Sequence, residues 1–304
     1  LGFMLLEALI LMLLGLSAFD AFTHSFTTLS TGGFSHYDAS IAHFAESNYN
    51  NYILIEYVIT IFMFLGGVNF LLHFRLFTGN FESVKNNNEL KSFLKLIFYS
   101  TVFISILIII LETAAGIEAE EIFRKTIFQV VSIITTTGFG TQNINSNFFP
   151  AAARQIFLVF MLIGGSVGST AGGIKVMRLN ILAKLFKREV KKIYYPNHAV
   201  LPVTMDDTII ESEEINKLTG IFSFWLILIV IGGLITSIFS NLDGWQSFSG
   251  MFSAMGNIGP FFFSVDKMAS LSPVIKMTYI IGMLAGRLEI LPIIILFTRK
   301  AWQD

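Results

Sequence analysis

The stretch ITTTGFGT at residues 134–141 decides how this chain reads, because it recurs in kind twice, as TLSTGGFS at 28–35 and FSAMGNIG at 252–259. Each copy follows an apolar segment and a short amphipathic stretch, and each leads into another apolar segment. Aligned on their first shared glycine, the copies read Thr31, Gly32, Gly33; Thr137, Gly138, Phe139; and Met255, Gly256, Asn257. That is the layout expected of an ion pore. A half-helix points its electronegative C-terminal end at the ion, and a glycine-bearing strand turns backbone carbonyls inward in place of water. Glycine makes that inward turn without a β-carbon clash.

Composition agrees with a membrane setting. The 304 residues are 54% hydrophobic and 13% charged, about half the charge share of an ordinary soluble domain, and mean hydropathy is +0.69. A spanning helix needs about 20 mostly apolar residues, and segments 1–16, 52–72, 92–111, 151–165, 221–239 and 273–297 meet or approach that length. The first starts at Leu1 with no basic leader, so it reads as the tail of a longer helix and the chain as the C-terminal part of a longer protein. There is no cysteine, which excludes disulfides and thiolate metal sites.

Basic residues gather in three places: Arg75, Lys85, Lys91 and Lys95; Lys175 through Lys217; and Arg299 with Lys300. By the positive-inside rule these segments are cytoplasmic, and all three glycine turns then face outward. Asp38, Glu46, Glu118, Glu120, Glu121, Asp243 and Asp266 fall on that outer side, where a negative vestibule concentrates cations. Because every turn and every basic linker lies on the same side, the repeats run parallel about an axis along the membrane normal and enclose a central pore. The expected fold is an all-α membrane protein of helix, pore-helix, filter-loop and helix repeats. Its units are 1–80, 81–186 and 218–304, with a cytoplasmic linker at 187–217 and half-helices at 17–29, 121–134 and 245–254.

The expected ion-facing residues are Thr31, Gly32, Gly33, Thr137, Gly138, Phe139, Met255, Gly256 and Asn257, with potassium held at Thr31, Gly32, Thr137, Gly138 and Gly256. The stretch GGSVGSTAGG at 164–173 lies inside an apolar segment. It is not a phosphate loop, since Ile174 stands where the lysine belongs and no strand precedes it. Its glycines Gly164, Gly165, Gly168, Gly172 and Gly173 break the helix, which the bilayer tolerates only beside water or protein. A flexible gate under the filter is the functional reading, and close helix packing through small residues is the plain one. Arg287 lies within the last apolar segment, where a charge costs about 2.5–3.5 kcal/mol and must face water or a partner. It reads equally as a structural ion-pair member and as a fixed charge at the pore touching the gate or the filter. Glu289 is a poor partner for it at i+2.

Glu56, Asn69 and Glu112 are explained by snorkelling near segment ends, and Trp225, Trp245 and Trp302 suit the membrane interface. The histidines, at 24, 36, 43, 73 and 198, have no ligand spacing, and no cluster suggests hydrolytic or redox chemistry.

The motifs HSFTTLSTGGFSHYDASI (24–41), TTTGFGTQNI (135–144), GGSVGSTAGGIK (164–175), AMGNIGP (254–260) and AGRLEILP (285–292) resemble the Trk/Ktr/HKT superfamily of potassium transporters, most closely its bacterial TrkH-type branch. The resemblance implies potassium as the transported ion and Gly32, Gly138 and Gly256 as filter glycines. It likewise implies segment 164–173 as the intramembrane gate and Arg287 as a pore-facing charge. It also implies a multi-pass protein of the bacterial inner membrane, a homodimer in lipid docked on a cytosolic nucleotide-binding ring of the TrkA kind, with no nucleotide site in this chain and no nucleic-acid partner. The family carries four pore repeats, of which three are present in these residues. Two alternatives stand beside potassium uptake: a sodium-coupled or sodium-permeable relative, and a membrane scaffold that binds ions without conducting.

Overall fold

The computed structural model describes residues 1–114, 116–196, 201–205, 208–287 and 302. His198, Glu289, Pro292, Arg299, Lys300 and the last apolar segment past Arg287 lie outside the described residues.

Three helical units follow one another. The first contains α1 (Gly2–Leu13), α2 (Ala18–Leu29), α3 (Ala42–Glu46), α4 (Tyr52–Gly67), α5 (Phe70–Phe77) and α6 (Phe81–Lys85). The second contains α7 (Asn88–Ile110), α8 (Ala119–Ile134), α9 (Ala151–Phe160) and α10 (Val176–Lys192). The third contains α11 (Ser212–Phe239), α12 (Gly244–Gly256), α13 (Val265–Ser270) and α14 (Pro273–Arg287). The same triangle of packed helices recurs in each: α1, α2 and α4; α7, α8 and α9; α11, α12 and α14. Contact between α4 and α8 joins the first two units, which share one apolar core, while the third has its own around Trp225, Ile229 and Tyr279.

The half-helices α2, α8 and α12 start where the sequence implies. Ser17 caps α2 by accepting the Asp20 amide at 3.1 Å, Glu120 and Glu121 occupy the first turn of α8, and Asp243 with Gln246 forms a capping box on α12. Ser17 and Asp243 each satisfy an orphan amide, and the acids at all three N-termini complement the positive end of the helix dipole. The opposite, electronegative ends all lead into glycine turns.

Among the described residues, α7 and α11 are long and apolar enough to cross a membrane alone. The pair α4 and α5, bent by 102° at the break between them, reaches that length and apolarity only when the two helices are taken together. The bend falls after Gly66 and Gly67, and Asn69 opens α5 by accepting the Leu71 amide at 2.8 Å. Asn69 therefore caps a helix and does not snorkel.

Three further expectations change. Helix α11 begins at Ser212, so the acidic run at 211–214 is its N-cap and first turn, and the 187–217 linker is helical at both ends. Between those ends, a two-strand hairpin of β1 (Thr204–Met205) and β2 (Thr208–Ile209) belongs to a small apolar cluster with Ile181 and Leu218. Trp225 is 2% exposed and fills the core of the third unit; only Trp245 and Trp302 are exposed as interface residues would be. Glu56 is buried at 1% and paired with Arg124, as described below.

Candidate ion-conducting site

After α2 the chain folds back on itself. Thr31 takes φ 51° and Gly33 φ 61°, the Gly32 and Gly33 amides both donate to the Thr27 carbonyl, and Thr27 Oγ1 donates to the Phe34 carbonyl at 2.9 Å. The pattern recurs after α8. Thr136 has φ 56° and Gly138 φ 89°, the Thr137 and Gly138 amides donate to the Ser132 carbonyl, and Ser132 Oγ donates to the Phe139 carbonyl at 2.6 Å. After α12, Asn257 has φ 55° and Gly259 φ 109°, the Ile258 amide donates to the Ser253 carbonyl, and Ser253 Oγ accepts the Gly259 amide at 3.1 Å.

Backbone conformation therefore equates Thr31 with Thr136 and Asn257, and Gly33 with Gly138 and Gly259. This corrects the alignment on the first glycine of each turn. Gly32 corresponds to Thr137 and Ile258, one position before the left-handed glycine. Met255 and Gly256 belong to α12, whose helix continues through Gly256. A β-carbon on Gly256 would overlap the Met161 carbonyl, so that glycine serves helix packing. Phe139 is fully buried, its carbonyl takes the Ser132 hydroxyl, and its ring lies 5.9 Å from His24. Its carbonyl and its ring are thus both engaged within the protein.

The turns interlock in order. A β-carbon on Gly33 would overlap the Thr137 carbonyl oxygen, and one on Gly138 would overlap the Ile258 carbonyl oxygen. Glycine is required at both positions by close approach and by positive φ together. At Gly259 a β-carbon would meet nothing within 4 Å. At the other end of the series, Phe34 is 76% exposed, although its backbone counterpart Phe139 is wholly buried. Between these two edges lies an apolar groove of about 550 Å³, lined by Gly33, Phe34, Asn257, Gly259, Tyr279 and Met283. Two approaches between successive turns are closed, and the groove lies open between the third turn and the first.

The returning strands run back along their half-helices towards the capped ends. His24 bonds Ser35 Oγ at 3.0 Å, while His36 and Tyr37 reach the Asp20 carboxylate at 2.8 and 3.1 Å. In the third unit the Phe262 amide donates to Ser249 Oγ at 2.9 Å. Above Gly138 and Gly259 sits a cavity of about 460 Å³, polar at Gln129, Gln142 and Asn143 and carrying the carboxylates of Asp38 and Glu46. Other acids expected in the vestibule are engaged: Glu120 with Arg124 and Glu121 with Lys125.

On the opposite side, at the C-terminal ends of the half-helices, lies segment 164–173. Its two ends meet: the Gly164 amide donates to the Ile174 carbonyl and the Ile174 amide to the Leu162 carbonyl, at 2.8 and 2.9 Å. The middle is strapped beneath the turns. Thr170 Oγ1 donates to the carbonyls of Leu29 and Gly66 at 3.0 and 3.1 Å, and the Gly172 amide donates to Thr136 Oγ1 at 2.7 Å. The Ser166 amide donates to the Gly67 carbonyl at 2.8 Å, and a β-carbon on Gly172 would come 2.8 Å from the Gly256 carbonyl. Arg287 Nη1 donates to the Thr170 carbonyl at 2.9 Å. Thr136 and Thr170, which lie inside quoted motifs but had no role assigned, and Gly66 and Gly67 of α4, which lie in none, thus fasten the loop to the turns and to α4.

Helix α8 is fixed from behind by the buried pair of Arg124 and Glu56, reinforced by Glu120 at 3.0 Å and by the Tyr52 ring beneath the guanidinium. Loss of one member of such a pair costs about 3–5 kcal/mol, because the other stays buried and charged. Their separation in sequence leaves no local signal.

Residues 11–304 match the family described as TrkH, cation transport protein. The chain is 32% identical over 299 residues to the Trk system potassium uptake protein TrkH of Escherichia coli strain K12, covering 98% of this chain and 59% of that one. It is 32% identical over 296 residues to an uncharacterized cation transporter of Methanocaldococcus jannaschii, covering 96% and 56%. The crystal structure of the potassium transporter TrkH from Vibrio parahaemolyticus superimposes with a TM-score of 0.84 at 28% identity, over 99% of this chain and 63% of that one. The chain thus spans about six-tenths of the length of the relatives it matches.

Proposed function

We propose, from the premise that this chain belongs to the TrkH family of cation transport proteins, that it forms three walls of a pore through which potassium enters the cell. The observation that carries the reading is the triple turn. Three half-helices each lead at their C-terminal ends into the same left-handed glycine, two of these glycines locked against a neighbouring turn's carbonyl. Such an array offers backbone oxygens to a dehydrating cation, and the filter level is assigned to Gly33, Gly138 and Gly259 with the carbonyls of Gly32, Thr137 and Ile258 beside them. The units are 1–80, 81–186 and 218–304. A further unit of the same design covers the open edge between Gly259 and Phe34 in the working pore.

Segment 164–173 is the gate, with Arg287 holding it and adding positive charge. In a bacterial inner membrane, potassium entering down the electrical gradient gains about 2.3 kcal/mol per 100 mV. The basic helix α10 and the following linker present the cytoplasmic face on which a nucleotide-binding ring of the TrkA kind docks, and two copies of the pore subunit pair in lipid.

The test is ion flux in liposomes by the full protein, its open edge covered by the further unit, with potassium and sodium supplied in turn. Potassium-selective flux is expected. Equal sodium flux favours the sodium-permeable reading, and specific potassium binding without flux would leave only a scaffold.

A further inference from the structure

We propose that Glu89 is the latch of the 164–173 loop, a positioning residue that holds the loop closed and ties it to α10. This rests on the gate reading above. Glu89 lies in the first turn of α7 and is 5% exposed. One of its oxygens, Oε1, accepts two backbone amides from opposite flanks of the loop: Val167 at 2.9 Å and Met177 at 3.2 Å. Val167 is the exposed outer bend of the loop, and Met177 is in the first turn of α10.

The chemistry at the second flank is that of a helix cap supplied from another helix. Lys175 at the N-cap of α10 makes no side-chain capping bond, and a carboxylate is the strongest acceptor for the orphan amides there. The same oxygen that caps α10 therefore grips the loop. Neighbouring fastenings at Thr170 and Gly172 reach the turns, but the described fastenings of Val167 and Met177 by a side chain run through Glu89. A displacement of α10 along its axis pulls on this carboxylate and, through it, on the Val167 bend. Glu89 thus converts movement of the basic cytoplasmic helix into movement of the loop.

The experiment compares Glu89→Ala, which removes the acceptor, with Glu89→Gln, which keeps an oxygen at the same place, in the full protein in lipid. Two readouts are taken together: flux per molecule and backbone hydrogen exchange over 164–178. Glu89→Ala is expected to speed exchange on both flanks and to raise resting flux roughly tenfold, the bias that one charge-assisted hydrogen bond gives a two-state loop. Glu89→Gln is expected to restore most of both. Unchanged exchange at Val167 and Met177 in Glu89→Ala, or equal behaviour of the two variants, would overturn the latch. A loop-shortened variant run in parallel separates the two claims. If it raises flux while Glu89→Ala does not, the latch fails and the gate stands; if it leaves flux unchanged, the gate reading fails and the latch with it.

Discussion

Gly33→Ala abolishes selective potassium uptake, whereas Gly32→Ala leaves it largely intact. The two glycines are adjacent in sequence and differ wholly in surroundings. At Gly33 the backbone is left-handed and a β-carbon would run into the Thr137 carbonyl of the next turn. Both the turn and its neighbour must then move. At Gly32 φ is ordinary, and the nearest atoms to a new β-carbon are Ser30 Oγ at 3.3 Å and the Phe34 ring at 3.4 Å, side-chain groups that can give way. Strain of this kind costs of order 1–3 kcal/mol at one residue, and here it falls on the oxygens that would face the ion. Gly138→Ala behaves like Gly33→Ala, because its β-carbon would strike the Ile258 carbonyl. Growth of a potassium-transport-deficient host on low potassium, with protein amount in the membrane measured alongside, gives the result. Equal loss at Gly32 and Gly33 would return the filter to the register of the first glycines.

If the 164–173 loop gates the pore as proposed, removing residues 168–170 raises basal cation flux several-fold and makes it insensitive to Arg287. The deletion takes away Thr170, whose hydroxyl holds the Leu29 and Gly66 carbonyls and whose own carbonyl holds Arg287. Arg287→Gln in the intact chain raises flux more modestly, since it removes the positive charge and weakens one strap of several. Thermal stability measured on the same preparations distinguishes a gate from a packing element. A gate variant conducts more with its melting temperature nearly kept. A packing variant melts earlier and conducts no more per molecule.

The half-helices and the position of the turns were legible in the sequence, because these depend on short-range signals: Ser17 and Asp243 at N-caps, apolar runs beside them, and hydroxyls followed by glycine. Register was not legible. Counting glycines favours Gly32 and Gly256, but the fold counts φ values, and the first left-handed position is filled by Thr31, Thr136 and Asn257, only the last a residue type that commonly adopts it. Gly256 meets a different demand, the close approach of Met161. The contact of Arg287 with the loop was among the alternatives the sequence offered, and the structure contains it. Glu56 was misread because its partner Arg124 lies in another unit, and Glu89 passed unnoticed because it resembles any acid in the first turn of a helix. The length of α9 was overestimated for a similar reason: hydropathy continues past Phe160, while the glycines that follow turn the backbone into the loop.

The most direct measurement is anomalous diffraction from crystals of the full protein grown in rubidium, an ion of potassium-like size that can be located by its scattering. The account predicts a rubidium peak on the axis between the turns, in direct contact with backbone oxygens at the level of Gly33, Gly138 and Gly259, and its loss when sodium replaces rubidium. A protein that transports potassium yet shows no ion at that level, or shows one held at Gly256 on α12, would contradict it.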